Sequence, residues 1–305
     1  MKVRVSINDI IAVKADAVII TSFEGGITRG SAARSVNKML GGVISELQEY
    51  GEVKGKLNEI NIIHSLGKMP ARVIALAGLG KSAEMNLEKF RNVMGQACRQ
   101  LAKLQCKRIA AIVYGTGIHG LSREEIAQAI VEGAFLGTYK FSKYLTQEHD
   151  NGEVEELILV EKDKVNLQSL ELACARGRIM AEATNLARDM VNEPANYMTP
   201  SDMARVAKGI ARKHKLGIKI LESSEMQDLG MGALLGVAQG SLQPPKFIVM
   251  SYRGDARSSR SIAYIGKGIT FDSGGISLKP SENMHEMKGD MSGGAAVIAA
   301  LSAIS

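Results

Sequence analysis

A short Gly-rich stretch near the end of the chain contains four side chains that could perform metal-assisted hydrolysis. This stretch, residues 264–297, reads YIGKGITFDSGGISLKPSENMHEMKGDMSGGAAV and contains Lys267, Asp272, Lys279 and Asp290. Carboxylate oxygens bind hard or borderline divalent ions, and two such ions can polarise a carbonyl and activate water. Lysine binds a metal only as a neutral amine, a form that a nearby dication favours. The pattern therefore indicates two aspartate ligands assisted by Lys267, and leaves Lys279 charged to stabilise an oxyanion.

Two carboxylates and two lysines on loops are also compatible with ion pairing or with phosphate binding. Exposed ion pairs on loops are common and contribute little to stability. Gly-rich loops that open helices can bind phosphate. The G-x-x-x-x-G-K-[ST] pattern of phosphate-binding loops is absent, because Gly268 and Gly274 have the wrong spacing and Lys279 is followed by Pro280. Metal binding therefore ranks above phosphate binding.

The elements that must position these side chains alternate between strands and helices in the first half of the chain. Continuous apolar runs bounded by Gly or charged residues predict buried parallel strands. These runs are Ala17–Ile20, Val73–Ala77 and Ile109–Tyr114. Helices are predicted over Leu87–Leu104 and Arg123–Tyr139, with Ser122 as the cap of the second. The alternation predicts an α/β fold built on a layered parallel sheet.

A change of composition around residues 145–170 marks a domain boundary. We predict an N-terminal α/β domain over 1–160, a connecting helix over 161–192 and a C-terminal α/β domain over 193–305 with a central, mostly parallel sheet. The predicted elements of this last domain are a helix over Met203–His214 and strands over Ile218–Leu221, Phe247–Tyr252 and Ile262–Ile265. Because ligands of open α/β sheets bind at the carboxyl ends of strands, the Gly-rich stretch is suitably placed for a site.

Length, cysteine content and hydropathy limit the class of protein. A chain of 305 residues with 45% hydrophobic content is long enough for two globular domains with sizeable cores. Its three scattered cysteines include no C-x-x-C pair, which argues against a disulfide framework and favours a reducing cytosol. Lys14 and Asp16 interrupt the apolar N-terminus before a signal peptide or membrane span could form. A cytoplasmic protein without a membrane partner is expected.

The basic excess of the chain is confined to its first half. Residues 1–150 contain 20 basic and 14 acidic residues, whereas residues 151–305 contain 18 of each. Such a surface could bind nucleic acid or a nucleotide, which is the alternative function. No run of basic residues interleaved with aromatic residues supports it, so a solvated basic face is favoured. A salt titration of DNA binding that has no slope would remove this alternative.

The motifs themselves resemble a known family. GKGITFDSGGISLKP followed by MKGDMSGGAAV is similar to the signature of the cytosolic leucyl aminopeptidase family. NLARDMVNEPANYMTP resembles the entry of that family into its catalytic domain. The first domain resembles the macro-like N-terminal domain of these peptidases, for which a role in assembly is the expected one. The resemblance thus covers the whole chain.

The resemblance implies a two-metal hydrolase that releases N-terminal residues, preferentially leucine and similar ones, from peptides. Family members hold two adjacent ions, usually Zn²⁺, Mn²⁺ or Mg²⁺, assemble as homohexamers, and use a bicarbonate ion held by an arginine as general base. By resemblance, Lys267 binds one ion, Asp272 bridges both, and Asp290 completes the shell of the first. Lys279 polarises the scissile carbonyl, and Met287 lines the pocket for the first side chain of the substrate. The same five residues would therefore contact substrate.

Part of the family pattern is absent from this sequence. The remaining ligands, an Asp and a Glu in an N-T-D-A-E-G-R-like segment with an arginine just after them, do not occur. We therefore expect a C-terminally truncated chain that binds metal weakly and has no useful peptidase rate on its own. The last stretch, GGAAVIAALSAIS, is apolar on nearly every side of a helix, which predicts a helix buried in a large core.

Overall fold

The computed structural model of the chain contains an α/β fold. The structure describes residues 1–26, 31–113, 120–146, 152–162 and 167–305. The end of the third predicted strand, Tyr114, lies outside these residues. The chain divides into two compact units, Met1–Ala181 and Glu182–Ser305. The division falls inside a long helix, and the predicted boundaries at 160 and 192 stay predictions.

Among the described residues of the first unit, six strands form one sheet. They are β1 (Lys2–Ile7), β2 (Ala17–Ser22), β3 (Ile60–His64), β4 (Val73–Gly78), β5 (Arg108–Ile112) and β6 (Glu156–Glu161). The order across the sheet is β1-β6-β5-β2-β4-β3, and every neighbouring pair is parallel except β3 with β4. The α/β fold built on a parallel sheet is confirmed for this half of the chain, except that β3 is antiparallel to its neighbour. Every residue of β2 and β4 is buried, which explains their continuous apolar runs.

Helices cover both faces of this sheet. They are α1 (Ser31–Met39), α2 (Val43–Glu49), α3 (Leu87–Lys103), α4 (Arg123–Gly137) and α5 (Leu167–Asn192). One core cluster joins the sheet to α3, α4 and the start of α5, and a second joins its other face to α1 and α2. Ser122 caps α4 as predicted, in a capping box with Glu125. A short 3₁₀ turn, Ser82–Glu84, precedes α3.

The second unit is built from short elements around a smaller core. They are α6 (Pro200–His214), β7 (Gly217–Leu221), α7 (Ser223–Asp228), α8 (Gly232–Ala238), β8 (Phe247–Ser251), a 3₁₀ helix (Met284–Met291) and α9 (Ser292–Ile304). Methionine and aliphatic side chains of α5, α6 and α9 pack together with one face of β7 and β8. The strand pairing within residues 182–305 differs from the predicted mostly parallel sheet, because the one pair of strands described there, β7 with β8, is antiparallel.

The start of α6 differs from the sequence-based expectation. The sequence pattern predicts a helix from Met203, but α6 begins at Pro200 with Thr199 as its N-cap. Proline fits the first helical position because the N–H that it lacks would have no partner there. The Thr199 side chain accepts a hydrogen bond from the Asp202 N–H, and the Asp202 carboxylate accepts one from the Thr199 N–H, which completes a capping box.

Two other predictions for the second unit are wrong. Ile262–Ile265 is not a strand; its Ile262 and Ile265 side chains are exposed, and no described residue pairs with its backbone. An apolar run of this length needs a hydrogen-bonded neighbour to become a strand. The final helix, α9, is also not buried on every side: Ala295, Ile298 and Ala299 face the core, whereas Ile304 is half exposed. Among the described residues, no helix combines the length and apolarity needed to cross a membrane.

Candidate metal centre

Lys267 lies on an extended segment that crosses the start of α9 at very close range. The Gly294 N–H donates a 2.6 Å hydrogen bond to the Lys267 carbonyl oxygen, which ties the two segments together. A Cβ atom at Gly266 would overlap the backbone of Gly293, so only glycine permits this crossing. The crossing places the Lys267 ammonium, itself half exposed, against the 3₁₀ helix that precedes α9.

Asp272 lies on a tight turn that also orients its carboxylate. The Gly274 N–H donates to Asp272 Oδ1 at 2.9 Å, and Gly274 has a φ of 92°, which favours glycine. The Lys279 N–H donates to the Ser273 carbonyl oxygen at 2.9 Å and closes the turn. The Lys279 ammonium then reaches back to Asp272 Oδ2 at 2.8 Å and to the Asp272 carbonyl oxygen at 3.0 Å.

Met287 and Asp290 lie on the 3₁₀ helix Met284–Met291. Met287 Sδ is 3.4 Å from Lys279 Nζ, so the thioether is next to the Asp272–Lys279 pair. Asp290 Oδ1 is 3.0 Å from Lys267 Nζ, and the Asp290 side chain is only 18% exposed. Its second oxygen, Oδ2, is buried and has no hydrogen-bond partner among the described residues. A buried carboxylate oxygen without a partner is costly, and a bound cation would satisfy it.

The charges of the two lysines favour the ionised form of Asp272. The hydrogen bond from Lys279 lowers the pKa of Asp272 below its ordinary value of 3.8, and the Gly274 N–H lowers it further. The positive charges of Lys279 and Lys267 lower the pKa in the same direction. Lys267 thus acts on Asp272 as well as on its ion-pair partner Asp290. Asp272 is therefore available as a carboxylate at neutral pH.

The donors of this site fit a divalent cation. They comprise two carboxylates and one amine, and the buried Asp290 Oδ2 is an acceptor that a cation would satisfy. Lys267 would have to lose its proton to bind, and a dication favours that loss. Across the described part of the chain, no three His, Cys, Asp or Glu side chains cluster closely enough to hold an ion by themselves. A site at this place would therefore need Lys267 or another group in addition to the two carboxylates.

The structure brings the five predicted residues together as two ion pairs with a methionine beside one of them. It leaves their assigned roles as predictions. Two further groups at the site were not predicted from the sequence. They are the Gly274 N–H that orients Asp272, and the Lys288 ammonium, which donates to the Asn192 carbonyl oxygen at 2.9 Å. The D-S-G-G run was a signal for the first, because Asp often accepts from the N–H two residues on. Lys288 was visible only as a charge inside the motif.

Comparison with protein families gave two matches along the chain. The model described as "Cytosol aminopeptidase family, N-terminal domain" matches residues 19–148. The model described as "Cytosol aminopeptidase family, catalytic domain" matches residues 185–305, the part that contains the candidate metal centre. The two matches cover most of both units.

The sequences of similar proteins align with the whole chain. A "Probable cytosol aminopeptidase" of Alkaliphilus metalliredigens (strain QYMF) is 39% identical over 306 residues, and one of Alkaliphilus oremlandii (strain OhILAs) is 40% identical over 305 residues. Each alignment includes 100% of this chain and 61% of the relative. The chain therefore spans about three fifths of the length of these relatives.

Solved structures agree with these matches. The chain resembles "Bottromycin maturation enzyme BotP in complex with Mn" with a TM-score of 0.76 and 29% identity, over 95% of this chain and 56% of that one. It resembles a tomato leucine aminopeptidase mutant with a TM-score of 0.81 over 100% of this chain and 59% of that one; the 24% identity supports the fold alone. The two matching domains occur in the same order, the relatives align with the whole chain, and the fold is shared. The chain therefore belongs to the cytosol aminopeptidase family.

Proposed function

We propose that the protein is a metal-dependent aminopeptidase that releases N-terminal amino acids from peptides. The observation that carries this proposal is the buried Asp290 Oδ2, which lacks a partner among the described residues and lies in a carboxylate–lysine group that fits a divalent ion. Family membership supports the same activity. One of the similar structures is a complex with Mn, which makes Mn²⁺ a suitable ion for the first test.

The residues of the site have different proposed roles in the reaction. Divalent ions, when bound, supply Lewis-acid polarisation of a carbonyl and activation of water. Lys267, Asp272 and Asp290 would hold them as ligands. Lys279 keeps its charge and stabilises negative charge that develops on the oxygen of the scissile carbonyl. Binding of the free amine of the peptide beside the carboxylates would restrict cleavage to the first residue.

Met287 is proposed to favour substrates whose first side chain is apolar. Its Sδ lies 3.4 Å from Lys279 Nζ, so the thioether is beside the group that would contact the scissile carbonyl. Methionine is flexible and polarisable, and it adapts to leucine-like side chains. Leucine and similar residues are therefore the proposed N-terminal residues of the substrate.

The number of donors limits what these 305 residues are proposed to do alone. Lys267, Asp272 and Asp290 are few donors for two ions, so weak metal binding and a low peptidase rate are expected of this chain alone. Zn²⁺ and Mg²⁺ are alternatives to Mn²⁺ with the same oxygen and nitrogen donors. Bicarbonate is proposed as the general base of the full-length enzyme, in which an arginine would hold it.

Calorimetric titration with Mn²⁺ tests the proposed metal centre. We expect binding by the wild-type chain and loss of most of it in Asp290→Asn, which keeps the size of the side chain but removes its charge. Asp228→Asn is the matched control, because Asp228 is exposed at the end of α7. The proposal fails if the wild type does not bind Mn²⁺, or if both variants bind as the wild type does.

Hydrolysis of leucine amide tests the proposed reaction. With Mn²⁺ present, we expect slow release of ammonia from leucine amide and none from N-acetyl-leucine amide, because acetylation removes the free amine. Activity on the acetylated compound would contradict an exopeptidase. Turnover typical of an efficient enzyme, about 10 per second or more, would contradict the expectation drawn from the donor count.

Assembly and compartment complete the proposal. Homohexamers are implied by the family resemblance for the full-length protein, and light scattering of this chain beside a full-length relative would show whether 305 residues suffice. A cytoplasmic location is supported by the names of the relatives and by the three cysteines, which are all buried free thiols. Burial raises the pKa of Cys98 and Cys174 to about 12, which keeps these thiols unreactive.

A further inference from the structure

A lysine beside the candidate metal centre anchors the 3₁₀ helix that carries Met287 and Asp290. Lys288 Nζ donates a 2.9 Å hydrogen bond to the carbonyl oxygen of Asn192, the last residue of α5. Carbonyls in the last turn of a helix lack an intrahelical partner, and the chain cannot continue α5 through Pro194. The ammonium therefore satisfies an acceptor at the end of a long helix.

The charge of Lys288 suits this position. The carboxyl end of a helix has a partial negative charge, so a cation there is stabilising. Both Lys288 and Asn192 are half-buried, which protects the bond from competing water. Hydrogen bonds to a charged group contribute more to stability than neutral ones do. The lysine is thus well placed to fix the backbone of the 3₁₀ helix against α5.

Asp290 is held on its other side by the core. Met291 is fully buried and packs in the cluster that contains Met190 of α5. Between these anchors the backbone at Gly289 passes the Val191 side chain, whose Cγ1 would be 3.8 Å from a Cβ placed there. The segment that carries Asp290 is therefore clamped to α5 by a polar contact before it and an apolar contact after it.

We infer that Lys288 is a positioning residue for the metal centre, acting through the backbone on Asp290 and Met287. The inference rests on the proposed function, because it assigns Lys288 to the preparation of that site. Lys288 itself touches neither ion nor substrate in this role. Groups that orient metal ligands typically change metal affinity about 10- to 100-fold when they are removed, which makes the inference measurable.

Calorimetric titration with Mn²⁺ compares Lys288→Met, which keeps the length of the side chain, with Lys288→Arg, which keeps its charge. Lys208→Met is the matched control, because Lys208 is exposed on α6. We expect Lys288→Met to bind Mn²⁺ about tenfold more weakly while circular dichroism shows it folded, and Lys288→Arg to recover most of the affinity. Equal affinity in wild type and folded Lys288→Met would overturn the inference.

Amide hydrogen exchange is a second measurement of the anchoring by Lys288, and it needs no metal. Exchange within residues 284–291 should be about tenfold faster or more in Lys288→Met and unchanged in Lys208→Met. If the wild type binds no Mn²⁺, the proposed function fails, and the exchange rates still decide whether Lys288 holds this helix. Unchanged exchange in Lys288→Met would overturn that anchoring. If Lys288→Met does not fold, the same two measurements compare Lys288→Arg with the wild type. A tenfold loss of Mn²⁺ affinity in Lys288→Arg, with the exchange rate of the wild type, would then contradict the inference.

Discussion

At the scale of single residues, the site depends on which lysine faces which carboxylate. Lys279 faces Asp272, at 2.8 Å from its Oδ2, and Lys267 faces Asp290, at 3.0 Å from its Oδ1. The Lys279 ammonium is additionally held by the Asp272 carbonyl oxygen, whereas the Lys267 side chain is more exposed, at 54% against 36%. Each lysine thus pairs with a different carboxylate.

Removing the Lys279 ammonium should raise the pKa of Asp272. The hydrogen bond from Lys279 is the largest cause of the lowered pKa, and its charge is a further cause. In metal-free Lys279→Met we therefore expect the Asp272 carboxyl to titrate closer to its ordinary value of 3.8. Carboxyl carbon NMR during an acid titration measures this directly. Lys208→Met should leave the Asp272 titration unchanged, and an unchanged titration in Lys279→Met would contradict the pairing.

At the scale of elements, the crossing of the Lys267 segment and the start of α9 depends on glycine. A Cβ at Gly266 would overlap the Gly293 backbone, whereas a Cβ at Gly268 would meet nothing within 4 Å. Gly266→Ala should therefore lower the free energy of unfolding by about 1–3 kcal/mol, and Gly268→Ala should change it by less than about 0.5 kcal/mol. Urea unfolding followed by circular dichroism compares the two. Equal stabilities would show that the crossing relaxes without cost.

The capping box of α6 gives the second unit a predictable response to acid. The pKa of Asp202 is lowered, first by the hydrogen bond from the Thr199 side chain and also by Arg205. Because the folded-state pKa lies below the ordinary 3.8, the ionised Asp202 stabilises the fold above that pH, and this contribution is lost as pH falls through the folded-state pKa. Asp202→Asn should cost about 0.3–1 kcal/mol near neutral pH, and its difference from wild type should shrink below pH 3.8. A pH-independent difference would contradict an ionised cap.

At the scale of the whole molecule, each compact unit has its own core. The first unit contains two clusters of buried side chains on opposite faces of its sheet, and the second contains a separate cluster rich in methionine. A domain with its own core can fold alone. We therefore expect residues 1–181 to unfold cooperatively in urea as an isolated chain, with the far-ultraviolet spectrum of an α/β protein. A non-cooperative transition would show that this unit needs the rest of the chain.

Several elements could be predicted because their determinants are local. The buried strands β2 and β4 are continuous apolar runs, and α3 and α4 show helical spacing. The strands β1 and β3 were not predicted, because they carry polar residues among their apolar ones and lie at the two edges of the sheet. The helix α8 is not predicted because it lies in the Gly-rich stretch Leu229–Gly240, where glycine suggests a loop. The helix α7 is not predicted because its six residues are too short for a clear helical periodicity.

Composition, periodicity and motif spacing were enough to predict the residue types of the site, the α/β class and the resemblance to the family. They could not predict that Lys267 meets Asp290 while Lys279 meets Asp272, or that Asp290 Oδ2 is buried without a partner among the described residues. Such contacts depend on how the turn at Gly274 and the 3₁₀ helix Met284–Met291 pack. Spacing along a chain does not specify that packing.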